Sequence, residues 1–133
     1  MIVLDEQLLG YGLKDQIAKW YRGTVTDITQ LRPGTVIEDE TIPSLLRTVR
    51  QPTFVTINVS DFWRHMEPDP QFCITCFALP HSRAEEIPNL LRRLFTLAPF
   101  RTRKRRLSKI ARVARKQVQF YAVESRVVQL IEW

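Results

Sequence analysis

Three aspartates stand where the chain looks set to leave regular structure: Asp5 directly after Ile2-Val3-Leu4, Asp39 in Asp39-Glu40-Thr41-Ile42-Pro43, and Asp61 just past Phe54-Val55-Thr56-Ile57-Asn58-Val59. Hard divalent cations such as Mg²⁺ and Mn²⁺ prefer oxygen ligands, and a cluster of carboxylates holds one while leaving positions for water and phosphate. Each acid also has a plainer role open to it. Asp39 and Glu40 suit the first turn of a helix as capping groups and dipole partners, and Asp61 can cap a short helix beginning at Phe62. Asp5, directly after a buried strand, has no cap to satisfy by default.

Two other constellations carry chemistry in principle. Cys73 and Cys76 form a C-x-x-C, the spacing of a redox pair or half a zinc site. The only histidines, His65 and His81, lack the spacing of a zinc partner pair. Phe72-Cys73-Ile74-Thr75-Cys76-Phe77-Ala78-Leu79 reads as a buried strand, in which residues three apart point to opposite faces, so core thiols are expected. From Arg92 to Lys116 there are 11 Lys and Arg and no acids, densest at Arg101, Arg103, Lys104, Arg105 and Arg106. Arginine forks match phosphate oxygens, which makes this run a candidate nucleic-acid contact, a dock for an acidic protein, or simply a solvated loop.

The elements that must position these residues follow from periodicity. Ile2-Val3-Leu4 reads as a buried parallel strand, and Leu8, Leu9, Leu13, Ile17 and Trp20 as a helical stripe ending before Gly23, with Gly10 and Gly12 blurring its start. A second strand at 24–28 precedes a Pro33-Gly34 turn and a helix from Asp39 buried through Ile42, Leu45, Leu46 and Val49. Phe54 to Val59 is the clearest strand, residues 60–65 a short helix, and 72–79 a fourth strand. Ser82 is placed to cap a helix with Ile87, Leu90, Leu91, Leu94 and Phe95 on one side. Alternating strands and helices predict an α/β fold with a mainly parallel sheet, right-handed crossovers, and ligand chemistry at the strands' carboxyl ends. Residues 110–122 fit a helix, but Val118 to Val123 and Val127 to Ile131 fit a C-terminal β-hairpin about Glu124-Ser125-Arg126, which their β-branched and aromatic content favours.

These motifs resemble the PIN-like domain family, in particular its short members related to toxin–antitoxin ribonuclease toxins. Val3-Leu4-Asp5-Glu6 is similar to that family's opening strand and acid, and Asp39-Glu40-Thr41-Ile42 to its second acidic motif. Phe54-Val55-Thr56-Ile57-Asn58 followed by Asp61-Phe62 is similar to the third. The resemblance covers about residues 1–65, with element order continuing to about 97. It implies a three-layer PIN-like fold: an α/β core over 1–97, a basic segment over 98–116 and a hairpin over 117–133. It further implies phosphodiester hydrolysis, with Asp5, Asp39 and Asp61 as catalytic residues holding Mg²⁺ or Mn²⁺. Asn58 stands where the family usually has an aspartate; it can offer a metal a carbonyl oxygen but no charge. A convincing fourth acid after the strand at 72–79 is missing. A metal-dependent ribonuclease with a partly degenerate site is therefore one expectation, and an inactive PIN-like RNA- or protein-binding module the other.

A chain of 133 residues with 44% hydrophobic content suits one domain with one core. It has no apolar run long enough to span a membrane, and acids at Asp5 and Glu6 are wrong for a signal peptide, so a cytoplasmic protein is expected. The net charge of +6 is sharply divided: residues 1–91 sum to 8 − 12 = −4 and residues 92–133 to 12 − 2 = +10. RNA and an antitoxin protein are the expected partners, with self-association open. RNA binding through these cations requires affinity that falls steeply between low and moderate salt; a flat binding curve would contradict it.

Overall fold

The computed structural model describes residues 1–133. Seven strands form one sheet: β1 (Ile2–Leu4), β2 (Val25–Asp27), β3 (Thr53–Thr56), β4 (Cys73–Phe77), β5 (Lys109–Val113), β6 (Gln117–Ala122) and β7 (Gln129–Glu132). Their spatial order is β2-β1-β3-β4-β5-β6-β7, with β1 to β5 mutually parallel and β6 and β7 antiparallel. The hairpin expected at the C-terminus is present, pairing Gln117 with Glu132. No helix is long and apolar enough to cross a membrane.

Alternation along the strands splits the core in two. Ile2, Leu4, Val55, Cys73, Phe77, Ala111, Val113 and Phe120 face α1 (Leu13–Ala18) and α5 (Ile87–Leu94). Val3, Phe54, Ile74, Cys76, Ile110 and Tyr121 face α2 (Ile28–Leu31), α3 (Ile42–Leu46) and α4 (Val59–Phe62). Phe54 and Phe62 meet across that second layer with ring centroids 5.4 Å apart. Both are fully buried, so truncating either to alanine costs about 3–5 kcal/mol.

Several sequence expectations change here. The first helix is only Leu13–Ala18, because Gly10 and Gly12 hold φ of 89° and 70° and separate it from a 3-10 turn at Glu6–Leu8. The β3 strand stops at Thr56 rather than Val59. Ser82 caps nothing: Pro80 precedes a 3-10 segment at His81–Glu86, and Pro88 sits in the first turn of α5. The segment 98–116 is not a separate basic tail, since it holds α6 (Arg103–Arg106) and then β5 in mid-sheet. Lys109 and Arg112 hide that strand from a periodicity reading, but Ile110, Ala111 and Val113 are fully buried between β4 and β6.

The crossovers do not all share one hand either. The steps from β3 to β4 and from β4 to β5 move the same way across the sheet, but α4 covers one face and α5 the other. Without α5, the layer of Leu4, Val55, Phe77 and Val113 would have α1 as its only helix. Covering that apolar surface overrides the usual preference.

Cys73 and Cys76 are free, buried and on opposite faces, as the three-residue spacing predicts. Burial pushes the Cys73 thiol up to about 12 and the Cys76 thiol upward as well. Neither thiol should react with a disulfide reagent at pH 8 in the native protein, and both should react in denaturant. Rapid native labelling would show that the strand opens.

Candidate functional site

The parallel register builds the acidic end of the molecule. Leu4 pairs with Val55, so the next residues, Asp5 and Thr56, lie side by side where both strands end. Thr56 Oγ1 donates to Asp5 Oδ2 at 2.6 Å, and both residues are buried, Asp5 to 3% exposure. Burial holds the Asp5 carboxyl above the usual carboxylate range, opposed by the Thr56 hydroxyl and by backbone N–H groups of Glu6 and Gln7. The row continues through Cys76 and Arg112 to Gln119, whose Oε1 accepts from Arg112 Nη1 at 3.4 Å.

Just after β3 the chain turns on Thr56 a second time. Asn58 N–H donates to Thr56 Oγ1 at 3.0 Å, and Asn58 then caps α4, its Oδ1 accepting from the Asp61 N–H at 3.1 Å. Its Nδ2 donates to Asp61 Oδ2 at 2.7 Å, and Ser60 Oγ donates to its Oδ1 at 3.2 Å. Asn58, expected as a metal ligand, thus has its amide committed to positioning Asp61. Its short side chain reaches its own helix start more easily than a separate site.

Asp39, Glu40, Ser60, Asp61, His65 and Met66 line an open cleft of about 460 Å³. Asp5 is not in its wall, yet lies near enough for its charge to act on Asp39. Loss of solvent and the nearby carboxylates of Asp61, Asp5 and Glu40 hold the Asp39 carboxyl above the usual range. Tertiary structure therefore brings the three expected aspartates into electrostatic contact. None of them is in an ion pair; the chain's four pairs use Asp69, Glu67 and, twice, Glu86. No group of three or more His, Cys, Asp or Glu side chains converges closely enough to be a ready metal centre. The three aspartates themselves offer only oxygen donors, the type that hard cations prefer.

Thr56, Ser60, His65 and Met66 were not singled out from sequence for this site. Thr56 carried a signal, being a hydroxyl at the end of an otherwise apolar strand. The others enter only because α4 folds back over the sheet.

The expected nucleic-acid contacts lie elsewhere. Arg103 and Arg106 act on the Met1 ammonium, and Arg106 and Lys109 on Cys73, at the strands' amino ends. With strand rise of about 3.3 Å per residue, that is roughly 10 Å or more from Asp5 along the sheet. Arg101 donates to Thr96 O, Arg105 to Ala98 O and Arg106 to Phe100 O at 3.1, 3.1 and 2.9 Å. Arg106 is buried, with its guanidinium 3.9 Å from the centroid of the Phe95 ring. Arg103 and Lys104 remain exposed and without an acidic partner.

Fold and site together define an α/β protein with an acidic cleft at the carboxyl ends of a mainly parallel sheet. No family model, no curated protein and no solved structure matches the chain.

An acid whose pKa rises on folding costs stability once pH passes its unfolded value, and the full cost is present above the folded value. Asp39→Asn should therefore raise the melting temperature at pH 7. The gain should shrink as pH falls through the raised folded value and be gone below 3.8, where both proteins carry a neutral side chain. A gain independent of pH would sink this account.

Proposed function

We propose that this chain is a PIN-like, metal-dependent ribonuclease, with Asp5, Asp39 and Asp61 as its catalytic carboxylates and Mg²⁺ or Mn²⁺ as its metal. The observation that carries the reading is the gathering of these three acids, unpaired and mutually repelling, where parallel strands end. Carboxylates crowded together without cations of the protein to pair them are the arrangement a bound cation would relieve.

Asp39 and Asp61 would hold the cation through their cleft-facing oxygens. When bound, it lowers the pKa of a coordinated water and neutralises charge on the phosphate. Asp5, outside the cleft wall, is fixed in direction by the Thr56 hydroxyl. Asn58 fixes Asp61 through two hydrogen bonds, so substituting it loosens a ligand rather than removing one. Glu40 and His65 complete the polar wall beside them. RNA is the proposed substrate, and the exposed Arg103 and Lys104 are available to an acidic partner such as an antitoxin.

A second reading, an inactive PIN-like module that binds RNA or protein, draws support from the lack of a ready three-ligand centre and from the committed Asn58 amide. Cleavage of single-stranded RNA by purified protein with and without Mn²⁺ separates the two. The ribonuclease reading expects Mn²⁺-dependent cleavage that falls on the order of 100-fold or more in Asp5→Asn. Equal activity in that variant would remove the metal-site mechanism, and no activity in either protein would favour the binding module.

A further inference from the structure

Beside the acidic cleft lies a smaller cavity of about 100 Å³, lined by Arg64, Met66, Glu67, Tyr121 and Arg126. Met66 belongs to both walls, so the two cavities adjoin. The first is acidic and the second holds two arginines. Charge thus changes sign over the width of one side chain, on the face of the sheet that α4 covers.

Arg64 is unusual in three respects. It follows the end of α4 with φ of 67°, the left-handed region that normally selects glycine. The turn is held by its N–H donating to Tyr121 Oη at 3.1 Å, while Tyr121 Oη donates to Met66 O at 3.1 Å. Its guanidinium lies 5.3 Å from the centroid of the Tyr121 ring. Finally, the exposed side chain makes no ion pair and no hydrogen bond within the protein, so its five N–H donors face solvent. A glycine would form this turn without strain, and strain kept at a charged residue beside a cleft points to a ligand.

Arg126 completes the arrangement from the turn between β6 and β7. It pairs with Glu67 at 2.7 Å, but the two side chains are 61% and 80% exposed, so the pair is weak and exchangeable. Glu67 is the only acid in this wall.

We propose that Arg64 and Arg126 form a phosphate-binding subsite, which holds the backbone of a single-stranded RNA while a neighbouring phosphodiester lies in the Asp39–Asp61 cleft. Arg64 supplies the principal contact through its free fork, braced on Tyr121. Arg126 exchanges Glu67 for the phosphate. The assignment of RNA rests on the ribonuclease reading, and it places the working cations beside the acids rather than in the 101–106 run.

The test is fluorescence anisotropy of a labelled single-stranded RNA with the full chain in EDTA, across a salt series, together with thermal melts. Arg64→Gly keeps the backbone N–H bond to Tyr121 and removes the strain, so it should melt no lower than the wild type. It should bind RNA about tenfold more weakly, the loss expected for one charged contact. The slope of log affinity against log salt should also fall by about 0.7. Arg64→Gln should lose affinity similarly, Arg126→Gln less, and Lys104→Gln, at the far end of the sheet, least. No measurable binding by the wild type, or unchanged affinity in both Arg64 variants, would overturn the subsite. Because EDTA removes the metal, absent Mn²⁺-dependent cleavage would reject the ribonuclease reading without altering this readout. Intact cleavage with unchanged binding would reject the subsite alone.

Discussion

A carboxylate can remain at the edge of a dry sheet only if something donates to it, and in this chain the Thr56 hydroxyl does so for Asp5. The same hydroxyl accepts from the Asn58 N–H, and Asn58 in turn caps α4 and binds Asp61. One side chain thereby links the end of β1, the end of β3 and the start of α4. The pairing of β1 with β3 sets this geometry, because a shift of one residue would carry Asp5 or Thr56 to the opposite face. The position of Asp61 relative to Asp5 is thus a consequence of strand register, relayed through Thr56 and Asn58.

The fold also separates charge along the strand direction. Crossover helices run opposite to parallel strands, so α5 ends near the strands' amino ends, where N–H groups of Phe95, Thr96 and Leu97 take its last carbonyls. There the following segment supplies Arg101, Arg105 and Arg106 to Thr96, Ala98 and Phe100 carbonyls. Lys109 donates to Arg105 O in the same way. Much of the basic run is therefore engaged in closing the 96–109 segment on itself. Acids collect at the opposite end, where strand carboxyl ends and the loops after them meet. The protein's large net charge is a poor guide to what its cleft attracts, since the cleft sees its own nearest groups before it sees the distant run.

The two faces of the sheet have different duties. The face covered by α1 and α5 is almost purely apolar, which explains why a crossover of unusual hand is tolerated to complete it. The face covered by α3 and α4 carries both cavities, the Trp63–Tyr121 edge contact and the hydrogen bonds of Tyr121 to the 64–66 turn. Tyr121 comes from the antiparallel part of the sheet, so the C-terminal strands help shape the surface beside the acids. They do more than extend the sheet edge.

Read alone, the sequence pointed to the α/β class, to four of the five parallel strands, to a C-terminal hairpin over the competing helix, and to Asp5 and Asp39 at element boundaries. Those features are local: β-branched runs, turn residues and acids next to them report their own backbone. Tertiary structure alone decided that Lys109–Val113 is a mid-sheet strand, because its charged positions break the apolar pattern while β4 and β6 supply the burial. It also decided that Asn58 serves Asp61, that Arg64 rests on Tyr121 across 57 residues of chain, and that the Arg101–Arg106 run lies away from the acids. Such pairings depend on strand order and register, which bring together residues whose neighbours in sequence carry no record of the meeting.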